Sequence, residues 1–176
     1  MDGGPVSTPV NSQELNQAMA LAGLQRRMKS GANNFYWIAG LSAINSLVTI
    51  FGGGFYFVVG LGITLIIDGL ATGISQELGG SPLVLGLGFL FSLFFDAIFV
   101  AFGYFAGRGH RWAFIVGMVF YSLDALLMLA FKEWLGFGFH LFFLWGVWGG
   151  FQALGNLQAA RPQTSADSAF PNDIGV

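Results

Sequence analysis

An all-α protein, a polytopic transmembrane helix bundle with five membrane helices, is what the sequence predicts on three observations. Of its 176 residues 55% are hydrophobic and 9% charged, with a mean hydropathy of +0.67, whereas about a quarter of a soluble domain is charged. The apolar residues come in five blocks of 17 to 24 residues, each close to the ~20 that cross the hydrocarbon layer as a helix. None of the blocks alternates polar and apolar residues as a membrane β-strand does.

Residues 1–34 read as a leader. Gly, Pro, Ser and Thr in the first ten residues predict disorder. Asn11 with Glu14 fits a capping box, after which Leu15, Ala18, Met19 and Ala22 share one helical face. A short interfacial amphipathic helix ending at Arg26, Arg27 and Lys29 follows from that pattern. The bundle itself occupies 35–158, with apolar blocks at 35–51, 55–74, 83–106, 112–131 and 135–154. Between them stand the triple glycine Gly52, Gly53 and Gly54, a polar loop from Gln76 to Pro82, a basic loop from Arg108 to Arg111, and the hairpin residues Lys132 and Glu133. The tail, 159–176, contains Pro162, Asp167 and Pro171 and is expected to be disordered. No cleavable signal precedes the first block, so that block is expected to act as its own insertion signal.

Composition also excludes. A net charge of -2 and seven scattered Lys and Arg residues give no basic surface for nucleic acid. The absence of cysteine removes disulfides, thiolate metal sites and a cysteine nucleophile. The expected partners are the lipid bilayer and either further copies of the chain or a larger membrane complex. The expected location is a bacterial inner (plasma) membrane. Orientation is weakly encoded: five crossings put four basic residues on one side and three on the other. A four-crossing alternative, with a re-entrant segment near residues 35–75, makes that count six against one.

The most informative feature is a tetrapeptide of apolar residue, amide or acid, small residue, then Leu or Ile. It recurs around Asn45, Asp68, Asp96, Asp124 and Gln152, the last four spaced 28 residues apart, as if a one-helix unit had been duplicated. Because consecutive helices run antiparallel, such units alternate in direction, an arrangement that resembles the inverted repeats of transporters. Thr64, Asp68 and Thr72 lie at spacings of four, as do Ser92 and Asp96, while Ser42 precedes Asn45 and Tyr121 precedes Asp124 by three. Asn45, Asp68, Asp96 and Asp124 fall within about 5 Å of their block midpoints, and Gln152 nearer one surface.

No Lys or Arg lies in the spans, so the three acids lack cationic partners other than His140. At least two of them are expected to be neutral, and a neutral carboxylic acid donates as well as accepts. Thr64, Ser92, Tyr121 and His140 are the candidate proton partners. Asp124 and His140 stand about eight residues either side of the hairpin at Lys132 and Glu133, which sets both roughly 12 Å from its tip and predicts contact between them. Gly69 with Gly73, Ala97 with Ala101, and Gly146 with Gly150 are spaced for close helix packing. The 20 Phe and five Trp read mainly as lipid-facing bulk and interfacial anchors.

Catalytic constellations are missing. There is no zinc-binding His-Glu-x-x-His helix and no phosphate-cradling Gly-x-x-x-x-Gly-Lys segment. No catalytic residue, metal site or cofactor is expected, and His110 and His140 approach opposite surfaces, so they do not share one haem iron. The expected function is a non-enzymatic bundle acting as an oligomer or as a subunit of a membrane assembly. The alternative is a small proton-coupled transporter or channel using the Asp layer, and whether that layer is dry and fully paired or lines a hydrated route from a surface decides between them.

Overall fold

The structure is a computed structural model that describes residues 12–51 and 60–160. These residues form five α-helices and no strand: α1 (Ser12–Ile50), α2 (Gly62–Glu77), α3 (Pro82–Gly107), α4 (Arg111–Ala130) and α5 (Trp134–Ala160). The last three coincide with the last three apolar blocks to within one residue at each end, except that α5 runs six residues past its block.

The first two helices depart from the expectation. No break separates an interfacial helix from the first block, because α1 continues through Ser30, Gly31, Ala32, Asn33 and Asn34. Gly31 serves packing there instead of a turn: a Cβ on it would stand 2.5 Å from the Gly150 Cα of α5. Leu15 and Met19 are exposed, so the N-terminal part of α1 stands clear of the bundle. The capping-box residue Asn11 and the triple glycine lie outside the described residues. In the block at 55–74, the helix begins only at Gly62 and has 16 residues, about 24 Å, short of the ~30 Å hydrocarbon layer. Three helices, α3, α4 and α5, are long and apolar enough to cross a membrane.

Contacts fix the direction of each helix. Ala32 lies beside Gly107 and Tyr36 beside Gly103, so α1 and α3 are antiparallel. Asn34 of α1 packs on Gly146, and Gly31 on Gly150, so α1 and α5 are antiparallel too. Ser92 of α3 bonds Asp68 of α2, and Ala71 packs on Gly88, making that pair antiparallel. Ser42 meets Thr64 and Ser46 meets Asp68, so α1 and α2 run the same way. By Gly60 the backbone is again beside Ser42, about two turns before the end of α1. Consequently α2 starts in the middle of the bundle and runs outward to Glu77, where Gly79 and Gly80, at φ of 74° and 87°, turn the chain into α3.

The core has two layers. Toward the end where α3 passes into α4, Phe35 packs against Phe99, Phe102 and Phe114 at centroid distances of 6.0 to 6.3 Å, and Gly117 leaves room for its ring. These four are the buried exceptions among the described phenylalanines; the others are partly or fully exposed, as the reading of Phe as mainly outward-facing bulk expects. All five tryptophans do face outward, with Trp37, Trp134 and Trp145 more than half exposed. Deeper along the bundle the core becomes polar.

Candidate functional site

Ten buried polar or ionisable groups form that second layer: Ser42, Asn45 and Ser46 of α1, Thr64 and Asp68 of α2, Ser92 and Asp96 of α3, Tyr121 and Asp124 of α4, and His140 of α5. Asp96 stands 11 residues before the end of α3 and Asp124 13 residues after the start of α4, which sets them about 17 and 20 Å from the same end of the bundle. Four of the five recurring polar residues therefore share a depth. Gln152 does not join them. On α5 the buried face runs through Gly136, His140, Val147, Gly150 and Leu154, and Gln152, two residues from both Gly150 and Leu154, points away from it and is exposed.

The layer is two clusters. In the first, Asp124 caps α2 from a neighbouring helix: Gly62 N–H donates to Oδ2 at 2.7 Å and Ile63 N–H to Oδ1 at 2.9 Å. A helix N-terminus has free N–H groups and a positive dipole end, so a carboxylate there is doubly favoured. His140 Nε2 lies 2.8 Å from the same Oδ2. Its Nδ1 lies 2.7 Å from the Gly136 carbonyl, and a carbonyl only accepts, so Nδ1 carries a proton. A single further proton must then sit between Nε2 and Oδ2, because two lone pairs would otherwise face each other. The pair is electrically neutral overall, as imidazolium and carboxylate or as imidazole and carboxylic acid. Both imidazole nitrogens are committed to hydrogen bonds. Tyr121 does not bond Asp124, as the spacing of three had suggested; its ring stacks on the imidazole at 4.4 Å and its hydroxyl has no partner among the described residues.

The second cluster lies where α1, α2 and α3 meet. Thr64 Oγ1 donates to the Leu61 carbonyl at 2.8 Å. The 2.8 Å contact between Ser42 and Thr64 must therefore use the Ser42 proton, which leaves Ser42 Oγ as an acceptor toward Asp96 beside it. Ser92 donates to Asp68 Oδ1 at 2.8 Å, not to Asp96 four residues along its own helix. The close approach of α2 and α3 at Ala71 and Gly88 brings the neighbouring helix within reach. Asp68 likewise finds its partner on another helix, and Thr64 is shared between Ser42 of α1 and the Leu61 carbonyl at the start of its own helix. Four buried oxygens remain without hydrogen bonds: Asp68 Oδ2, both carboxylate oxygens of Asp96, and Ser46 Oγ. Asp68 and Asp96 are close enough to repel each other as anions, and among the described residues of the bundle no Lys or Arg reaches them.

The spacing of the recurring tetrapeptide identified the acids, but not their partners. Gly62 N–H, Ile63 N–H and the Gly136 carbonyl are backbone groups that every residue carries, so nothing in the sequence marks them. Ser46 does carry a signal, its place as the small residue of the first tetrapeptide beside Asn45. Among the described residues no three His, Cys, Asp or Glu side chains converge on a metal-sized space. Compared with protein families, curated proteins and solved structures, the chain matches none.

Proposed function

We propose that this chain is a four-crossing membrane protein with a half-helix inserted from one side, and that it moves protons or other small cations through its polar layer as a non-enzymatic transporter or channel. The crossings are α1, α3, α4 and α5, with α2 as the half-helix. Three of these have the length and apolarity of a span, and α1 carries no charged side chain from Gly31 to Ile50. Its polar residues Ser42, Asn45 and Ser46 are buried against other helices instead of facing lipid. Arg26, Arg27, Lys29, Arg108 and Arg111 gather at one end of the bundle against Lys132 at the other, a bias that favours the basic end as cytoplasmic. A helix that starts at mid-depth is tolerated where protein or a cavity covers its end, and here Asp124 and His140 cover it.

The observation that carries the transport reading is the unpaired second cluster. A layer built only to hold helices together would satisfy its buried oxygens, since each orphan costs free energy without return. Asp124 is fully bonded and fits such a structural role, whereas Asp68 and Asp96 do not. The test is reconstitution in liposomes with an internal pH dye, under an imposed potential in one arm and an imposed sodium gradient in another. Proton entry that is lost in the Asp68→Asn, Asp96→Asn double variant supports the reading, and wild-type vesicles no leakier than empty ones sink it.

A second reading rests on a different observation. Gly69 and Gly73 of α2 and Ala97 and Ala101 of α3 are all exposed, and added Cβ atoms at the two glycines meet nothing within 4 Å. Small-residue faces of this kind pack against other helices in membranes, which favours further copies or another membrane subunit as a partner. Cross-linking in native membranes, with Gly69→Leu as the disrupting change, tests it.

A further inference from the structure

The unpaired oxygens of the second cluster have a common chemistry. Asp68 Oδ2, Asp96 Oδ1 and Oδ2 and Ser46 Oγ are hard oxygen donors from three helices. Ser42 Oγ adds a fifth, because its own proton is given to Thr64. No nitrogen or sulfur ligand is among them. Hard cations without strong directional demands take such sets, whereas zinc and copper select imidazole or thiolate.

Ser46 is the decisive member. It is wholly buried and close enough to act on the Asp68 carboxylate, yet its hydroxyl falls short of full hydrogen-bond geometry with any partner. A proton bridging two oxygens needs them about 2.5 to 3.0 Å apart and aligned. These neighbours do not meet that geometry, whereas a cation at the common centre bonds each oxygen separately, at roughly 2.3 to 2.6 Å for an ion of calcium's size. Sodium has almost that radius and a single charge.

We infer that Asp68, Asp96 and Ser46, with Ser42 behind them, form a binding site for one sodium ion, and that its binding displaces one proton from the two carboxylates. The assignment rests on the ion-moving reading given above and names its substrate class. Charge balance sets the stoichiometry. Two carboxylates holding one proton carry a single negative charge, which one sodium ion neutralises; with no sodium, a second proton does the same. Calcium or magnesium is less suited, because the site offers two carboxylates and hydroxyls where those ions take six or more oxygens and hold their water strongly. Other ionisable groups do not disturb the balance. On α2 the remaining acid is Glu77, at the far end; on α4 Asp124 is neutralised by His140 of α5 and Tyr121 is stacked on that imidazole; α1 carries no charge from Gly31 to Ile50, and α3 none besides Asp96. Exchange of one sodium ion for one proton at a site in the last third of α1 is the elementary step of an antiporter.

The test uses the full chain in detergent, in weakly buffered solution with a pH indicator. Sodium chloride should release protons saturably, approaching one per chain, while choline chloride, matched in ionic strength, releases none. Asp96→Asn should abolish the release. Ser46→Ala, a milder change that keeps the fold, should raise the sodium concentration at half-release roughly tenfold, as expected for loss of one ligand. Circular dichroism and a single gel-filtration peak verify that each variant is folded. Equal release by choline, release by calcium at lower concentration than by sodium, or an unchanged sodium response in folded Ser46→Ala overturns the assignment. The liposome experiment separates the two levels: Asp-dependent proton entry indifferent to sodium removes the sodium site and keeps the ion-moving reading, and absence of both proton entry and sodium response removes both.

Discussion

His140 and Asp124 meet across the α4–α5 hairpin, imidazole Nε2 2.8 Å from carboxylate Oδ2, and through that carboxylate α5 holds the first turn of α2. Asp124→Ala should cost the most of any substitution in this cluster. It leaves His140 and two backbone N–H groups buried without partners, a loss on the order of 3 kcal/mol or more. His140→Gln should cost less, because the cap remains. In a double-mutant cycle with Asp124→Asn the two changes should be non-additive by roughly 1 kcal/mol. Strict additivity would mean that the contact contributes nothing to folding.

The hydrogen bond from Nδ1 to the Gly136 carbonyl dictates which ring nitrogen keeps its proton. Nitrogen-15 NMR of histidine-labelled protein should show a protonated Nδ1 for His140 across the neutral range. A neutral ring protonated only at Nε2 would contradict the geometry.

Helix direction makes a topological prediction that differs from five crossings. With α2 inserted from one side and leaving by the same side, Ser7→Cys and Ser168→Cys should both react with an impermeant thiol reagent from the face that bears Arg108, and Lys132→Cys from the opposite face. Labelling of Ser7→Cys and Ser168→Cys from opposite faces would restore five crossings.

Tyr121 combines a useful ring with an orphaned hydroxyl. Tyr121→Phe preserves the stack on His140 and removes a buried oxygen that has no hydrogen bond, so stability should be unchanged or rise by up to about 1 kcal/mol. A clear loss in thermal or denaturant unfolding would indicate a partner for that hydroxyl.

The glycine pairs should behave in opposite ways. At the α1–α5 crossing a Cβ on Gly31 would run into the Gly150 backbone, so Gly31→Val should destabilise the monomer by about 1 to 3 kcal/mol, as overpacking does. Gly69→Leu, with open space around it, should leave monomer unfolding unaltered while lowering cross-linking yield. Equal monomer destabilisation by both would place Gly69 inside the chain's own packing.

Much of this was legible before any folding was considered. The last three helices could be drawn from block lengths, because lipid demands about 20 apolar residues per span whatever the neighbours are. The depth match of Asp124 and His140 followed from counting residues either side of a short hairpin, since the helical rise is constant. Four of the five recurring polar positions are buried. The fifth, Gln152, shows the limit of the count: spacing along a chain gives depth, but the face is set by which neighbours the helix touches.

Local composition and helical periodicity were enough for the all-α class, the long apolar helices α3, α4 and α5 and the depth of the acids, because these depend on the chain and its solvent alone. Folding in three dimensions decided the rest. Ser30 to Asn34 stayed helical because Gly31 and Asn34 pack on α5. The α2 helix starts at mid-depth because a carboxylate 62 residues away along the chain caps Gly62. Ser92 chose Asp68 over its own Asp96 because Gly88 lets α2 come close. Each of these outcomes is a competition between a local partner and a distant one, and the distant partner exists only once the helices have packed.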